Sequence, residues 1–127
     1  MTRRPVITVI GKSARNPADP VPPQALHAGE EVGKLLAERG AVVVTGGLSG
    51  VMEAVSRGAK NAGGLVIGIL PGFDKGDANE FVDIAITTGM GWMRNTLVVR
   101  AADAVIMISG GIGTLNELTV AYRTSRR

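Results

Sequence analysis

The chain has no cysteine, a single histidine and only four aromatic residues in 127. Without cysteine there is no disulfide framework, no thiolate nucleophile and no cysteine-ligated zinc. His27 alone excludes a multi-histidine metal site, and no acid–base partner is implied for it. Phe73, Phe81, Trp92 and Tyr122 are too few to pave the stacking surface of a single-strand nucleic-acid binder. No apolar run approaches the ~20 residues of a membrane span. The N-terminus, Met1-Thr2-Arg3-Arg4-Pro5, runs into a short apolar segment without the long h-region and small-residue cleavage site of a signal peptide. The expectation is a cytoplasmic protein.

Net charge is +3, but it sits at the ends. Arg3, Arg4, Arg123, Arg126 and Arg127 are terminal, and without them nine basic residues face eleven acidic ones. A basic face of the kind that tracks a phosphate backbone is therefore not expected, and neither is nucleic-acid binding. Hydrophobic residues make up 45% and charged residues 20%, the composition of a folded globular chain. With no linker or internal repeat, residues 1–127 read as one domain.

Apolar runs alternate with helical patterns. Val6-Ile7-Thr8-Val9-Ile10, Ala41-Val42-Val43-Val44-Thr45, Leu65-Val66-Ile67-Gly68-Ile69-Leu70 and Ala104-Val105-Ile106-Met107-Ile108 read as strands. A weaker strand spans residues 81–87. Continuous rather than alternating hydrophobicity marks strands buried on both faces, as in parallel sheets. Between them lie helical stripes: Ala25, Ala28, Val32, Leu35 and Leu36; Met52, Val55, Ala59 and Ala62; Met90, Met93, Leu97 and Ala101; and Leu115, Leu118 and Tyr122. Gly40 and Gly63-Gly64 end the first two, as glycine ends helices. The third stripe predicts a core position for Met90 and Met93 and, with them, Trp92. The order predicts an α/β, three-layer Rossmann-like fold: a doubly wound parallel sheet of about five strands, with helices on both faces. The last helix begins near Thr114, and no further strand is expected before Arg127.

Three glycine clusters fall where a strand meets a helix: Gly11-Lys12-Ser13, Gly46-Gly47-Leu48-Ser49-Gly50 and Gly110-Gly111-Ile112-Gly113-Thr114. In a parallel sheet all three lie at the carboxyl edge, where such folds bind ligands. Glycine there lets backbone N–H groups approach a phosphate, and the helix N-terminus adds a favourable dipole. One such cluster is only a tight turn; three at one edge predict a site for a small phosphorylated ligand. Gly11, Lys12, Ser13, Gly46, Gly47, Ser49, Gly50, Gly110, Gly111, Gly113 and Thr114 are the candidate binding residues. The Walker pattern fails, because Val6 stands where its first glycine belongs. The dinucleotide fingerprint fails at Asn116.

Ser109-Gly110-Gly111-Ile112-Gly113-Thr114-Leu115-Asn116-Glu117 resembles the P-G-G-x-G-T-x-x-E motif of the LOG ("Lonely Guy") family, which also carries a lysine decarboxylase-like label. Gly46-Gly47-Leu48-Ser49-Gly50-Val51-Met52 resembles that family's other glycine-rich turn. Gly91-Trp92-Met93-Arg94-Asn95 falls where the family has M-x-x-R-K. Ser109 replaces the family's proline and Asn95 its lysine. These departures, with the Met90–Asn95 stretch, resemble the branch that includes molybdenum-cofactor carrier proteins.

The resemblance implies cleavage of the N-glycosidic bond of a nucleoside 5′-monophosphate to free base and ribose 5-phosphate. Such cleavage passes through an oxocarbenium-like transition state and needs a carboxylate near the sugar. Glu117 and Arg94 are the implied catalytic pair, the arginine orienting the carboxylate or holding substrate. Read without the family, Thr114-x-x-Glu117 is a capping box, and Arg94 is a solvated helix residue beside a buried Met93. The alternative function is a non-catalytic carrier or sensor of a nucleotide or molybdenum-cofactor-like ligand. Pyridoxal chemistry needs a Schiff-base lysine with cofactor partners. Lys12, Lys34, Lys60 and Lys75 show no such context, so no cofactor and no metal are expected. The resemblance also implies a homodimer or higher homo-oligomer.

Overall fold

The computed structural model describes residues 3–108. Five strands form one parallel sheet in the order β4-β3-β2-β1-β5. They are β1 (Val6–Gly11), β2 (Val42–Thr45), β3 (Leu65–Leu70), β4 (Ile84–Thr87) and β5 (Ala104–Ile108). Helices α1 (Pro23–Glu38), α2 (Val51–Asn61) and α3 (Arg94–Arg100) connect them, with short 3-10 turns at Lys75–Asp77 and Gly91–Met93. The chain steps outward from β1 to β4, then crosses to the other side of β1 to lay down β5. That reversal at β1 is the switch point at which doubly wound sheets open a crevice. The expected parallel α/β architecture is therefore present. The fourth helical stripe, from Leu115 on, lies outside the described residues.

Helices cover both faces of the sheet. On one face Val9, Val43 and Val66 pack with Ala25 of α1 and Val51, Val55 and Ala59 of α2. On the other, Ile10, Val44 and Ile69 pack with Val98 of α3. The continuous apolar runs of the strands serve both layers at once. Thr8 fits the α3 side because its Oγ1 donates to the Val98 carbonyl at 2.6 Å, satisfying a fully buried hydroxyl.

The first two helices begin and end as their sequences dictate. Pro23 occupies the first turn of α1, where its missing N–H costs nothing. Both helices finish in a Schellman motif. Gly40 and Gly63 take φ of +78° and +79°. The next residues, Ala41 and Gly64, donate back to Leu36 and Ala59.

Two stripes differ from the expected ones. On α1 the buried residues are Ala25, Gly29 and Gly33, while Ala28 and Leu35 face solvent. The reason is the α1–α2 contact. A Cβ on Gly33 would stand 2.1 Å from the Val55 carbonyl oxygen, and one on Gly58 2.0 Å from that of Glu30. The helices touch backbone to backbone, so the buried face is written in glycine rather than leucine. On α3 the buried residues are Arg94, Asn95, Val98 and Val99, whereas Met90, Met93 and Leu97 are exposed. The 3-10 turn before α3 has 3.0 residues per turn, so one 3.6 period does not run through residues 90–101.

Asp83 fastens the entry to β4. Its carboxylate accepts from the Val66 N–H at 2.9 Å and pairs with Lys60 of α2. Burial alone would raise its pKa, but the hydrogen bonds from Lys60 and Val66 and the lysine charge outweigh it, and the pKa falls below the ordinary value. A lowered folded-state pKa gives stability that is present above the unfolded carboxylate value, about 3.9, and is lost as pH falls through the folded value. Asp83→Asn is expected to lower stability at neutral pH and to flatten the acid limb below about pH 4. Denaturant unfolding across a pH series checks this; an unchanged acid limb would refute it.

Candidate functional site

The two glycine-rich turns at the described carboxyl edge interlock. Gly50 precedes α2 with φ +73°, and a Cβ there would lie 2.4 Å from the Lys12 carbonyl oxygen. That carbonyl accepts from Val51 N–H at 3.0 Å, and Ser49 Oγ accepts from Ala14 N–H at 3.2 Å. A Cβ on Gly11 would press on Val51 Cγ1 at 2.4 Å. The end of β1 is thereby held against the start of α2, and only glycine permits the approach.

Gly47 has φ +79° and donates its N–H to Thr45 Oγ1 at 2.9 Å. Its carbonyl accepts from Asn79 N–H at 2.9 Å, and the Leu48 carbonyl accepts from Asn79 Nδ2 at 2.8 Å. Asn79 thus ties the β3–β4 connection to the β2–α2 turn.

Above these turns opens a cleft of about 780 Å³, within the range of small-molecule sites. Of the sequence-predicted residues, Gly11, Lys12, Ser13, Ser49 and Arg94 line it. Gly46, Gly47 and Gly50 stand behind the lining as turn formers. Gly110, Gly111, Gly113, Thr114 and Glu117 lie outside the described residues.

Arg94 departs furthest from a plain helix-surface reading. It is 7% exposed, and Met93 beside it is 71% exposed. Its guanidinium enters over Gly46, where a Cβ would come within 2.6 Å of Nη2. Nη2 reaches the Gly46 carbonyl at 3.5 Å, and Nη1 donates to Asn95 Oδ1. The absence of a side chain at Gly46 is what admits the arginine. A guanidinium has five donors in a rigid fork, suited to a phosphate or carboxylate. Because a guanidinium only donates, Asn95 must turn its oxygen toward it, which fixes the amide. Asn95, standing where the family has lysine, is 1% exposed and also borders the cleft.

Other cleft residues carried weaker sequence signals. Arg15 lies in the proline-rich β1–α1 loop, with its Cζ 5.0 Å from the centre of the Trp92 ring. Trp92, expected in the core, is 59% exposed on the cleft wall. Glu53, in the first turn of α2, and Asp77 add carboxylates. A first-turn carboxylate reads as a dipole partner, which hides Glu53 among ordinary helix starts. Lys12 pairs with Asp19 across the same loop. The cleft thus offers arginine donors for an anion and carboxylates able to accept from sugar hydroxyls.

The SLOG cluster4 family model matches residues 4–127. The chain belongs to the SLOG cluster4 family. It is 34% identical over 108 residues to a cytokinin riboside 5′-monophosphate phosphoribohydrolase of Mycobacterium tuberculosis, covering 83% of this chain and 58% of that protein. The chain therefore spans well under two thirds of that curated relative. Among solved structures, a molybdenum cofactor binding protein from Rippkaea orientalis superposes with a TM-score of 0.92 at 40% identity, over 99% of this chain and 75% of that one. The Moco carrier protein of Chlamydomonas reinhardtii gives 0.85 at 34% identity, over 95% and 72%. The LOG resemblance and its carrier-like branch, read from the motifs, both have counterparts among these relatives. Among the described residues no helix is long and apolar enough to cross a membrane.

Proposed function

We propose that this SLOG protein binds a phosphorylated small molecule of the nucleoside 5′-monophosphate class in the cleft and hydrolyses its N-glycosidic bond. The observation that carries the reading is Arg94, drawn into the cleft floor over Gly46 between the glycine turns. Arg94 holds the anionic end of the substrate or steers a carboxylate. Glu117 activates water or stabilises the oxocarbenium-like transition state. Gly11, Lys12 and Ser13, with Gly110, Gly111, Gly113 and Thr114, complete the phosphate cradle. The phosphoribohydrolase relative supports this chemistry.

A second reading, a carrier that retains its phosphorylated cargo unchanged, is favoured by one specific residue. Asn95 replaces the family's lysine with a neutral amide locked onto Arg94, and the structural neighbours are molybdenum-cofactor binding and carrier proteins. A product assay separates the two. Incubation with a panel of nucleoside 5′-monophosphates is expected to release free base and ribose 5-phosphate, and Glu117→Gln is expected to abolish release while leaving ligand-induced thermal stabilisation intact. Stabilisation without any product assigns the protein to the carriers.

Self-association belongs to the same proposal. Met90, Met93 and Leu97 expose an apolar strip on and before α3, away from the cleft lining, and such strips mark subunit contacts. Sedimentation equilibrium is expected to show a dimer or larger species, weakened by Met93→Glu; a monomer at all concentrations would remove this part.

A further inference from the structure

Trp92 is the only tryptophan in the chain, and its placement is costly for a residue with no task. It is 59% exposed, yet it borders the cleft together with Arg94, whereas Met90, Met93 and Leu97 do not. The backbone presents it deliberately: Gly89 and Gly91, flanking Met90, take φ of +63° and +58°, a conformation that L side chains avoid. The exposed guanidinium of Arg15, which also lines the cleft, lies over the indole ring with its Cζ 5.0 Å from the centroid. A cation over a tryptophan at a solvent-exposed site is held weakly, so the cover is exchangeable. Two residues further on, Arg94 supplies an anion-binding group at the cleft floor.

We propose that Trp92 is a stacking platform for a flat nitrogen heterocycle joined to the phosphate of the ligand, and that the heterocycle displaces Arg15 from the indole face. The inference rests on reading the cleft as a site for a phosphorylated ligand and adds which side chain holds the heterocyclic end. Stacking on an aromatic side chain tolerates any base, because each presents a π-face. Trp92 therefore recognises the class of ligand, a ring system on a phosphorylated arm, and leaves the choice of ring to edge contacts such as those offered by Asp77 on the cleft wall.

The single indole supplies its own readout. AMP and ribose 5-phosphate share a phosphorylated sugar and differ in the heterocycle. AMP is expected to quench Trp92 emission saturably, and ribose 5-phosphate to bind by calorimetry with little change in emission. Trp92→Ala is expected to weaken AMP about tenfold or more with ribose 5-phosphate affinity unchanged, and Trp92→Phe to restore most of the AMP affinity. If AMP binds by calorimetry without altering emission, or if Trp92→Ala weakens both probes equally, the stacking platform is wrong and the phosphate site stands. If neither probe binds the wild-type protein, the phosphate reading falls and the platform with it.

Discussion

Arg94→Leu is expected to weaken binding of a nucleoside 5′-monophosphate by about 30-fold to 5,000-fold, the range for truncating one partner of a buried charged hydrogen bond. The side chain is 7% exposed on the floor of the cleft, so its field is screened less than that of a surface arginine. Arg94→Lys keeps the charge but not the planar fork that spans Gly46 and Asn95, so it is expected to recover only part of the affinity. The leucine variant also leaves the buried Asn95 oxygen and the Gly46 carbonyl short of a donor, at about 1–3 kcal/mol for each group left unsatisfied. Calorimetric titration with AMP, run beside denaturant unfolding, separates the two effects. A leucine variant that binds AMP as tightly as the native protein would remove Arg94 from the site and take the proposed function with it.

The second large effect is on stability. Gly58→Ala is expected to cost about 3 kcal/mol, at the upper end of overpacking penalties. The added Cβ would lie 2.0 Å from the Glu30 carbonyl oxygen, and backbone cannot swing aside as a flexible side chain does. The helices must separate, which opens the cluster of Ala25, Val51, Val55 and Ala59 beneath them. Gly33→Ala meets the Val55 carbonyl from the opposite side and is expected to behave alike. Gly63→Ala is the informative contrast. Its Cβ would meet open space, so only the φ of +79° resists it, at about 1–2 kcal/mol. Equal losses for Gly58→Ala and Gly63→Ala in denaturant unfolding would show that the helix contact is not close-packed. Separation of α1 from α2 also moves the start of α2, so Gly58→Ala is expected to weaken ligand binding from a distance.

Much of this was written locally. The strands were legible because each apolar run had to satisfy two helical layers. The ends of α1 and α2 were legible because Gly40 and Gly63 supply the left-handed residue that closes a Schellman motif. Gly46, Gly47 and Gly50 were legible as a special turn, although the chain could not say that Gly47 and Gly50 shape the turn and that Gly46 clears room for Arg94. The motifs alone place the chain near the LOG proteins.

Other features were decided only by tertiary contact. Hydrophobic periodicity assumes that the buried face is the apolar one. On α1 that assumption fails because backbone packs on backbone, so Gly29 and Gly33 go inside and Leu35 remains out. At residues 90–101 two faces compete, and the sheet chose Val98 and Val99, carrying Arg94 and Asn95 inward and turning Trp92 toward the cleft. The sequence by itself determined the parallel α/β frame, the edge that carries the cleft and the family, because these follow from local hydrophobicity and turn chemistry. Which side chains line that edge was decided by the fold alone, because the 3-10 turn, the cleared space at Gly46 and the helix–helix approach exist only between segments far apart in the chain.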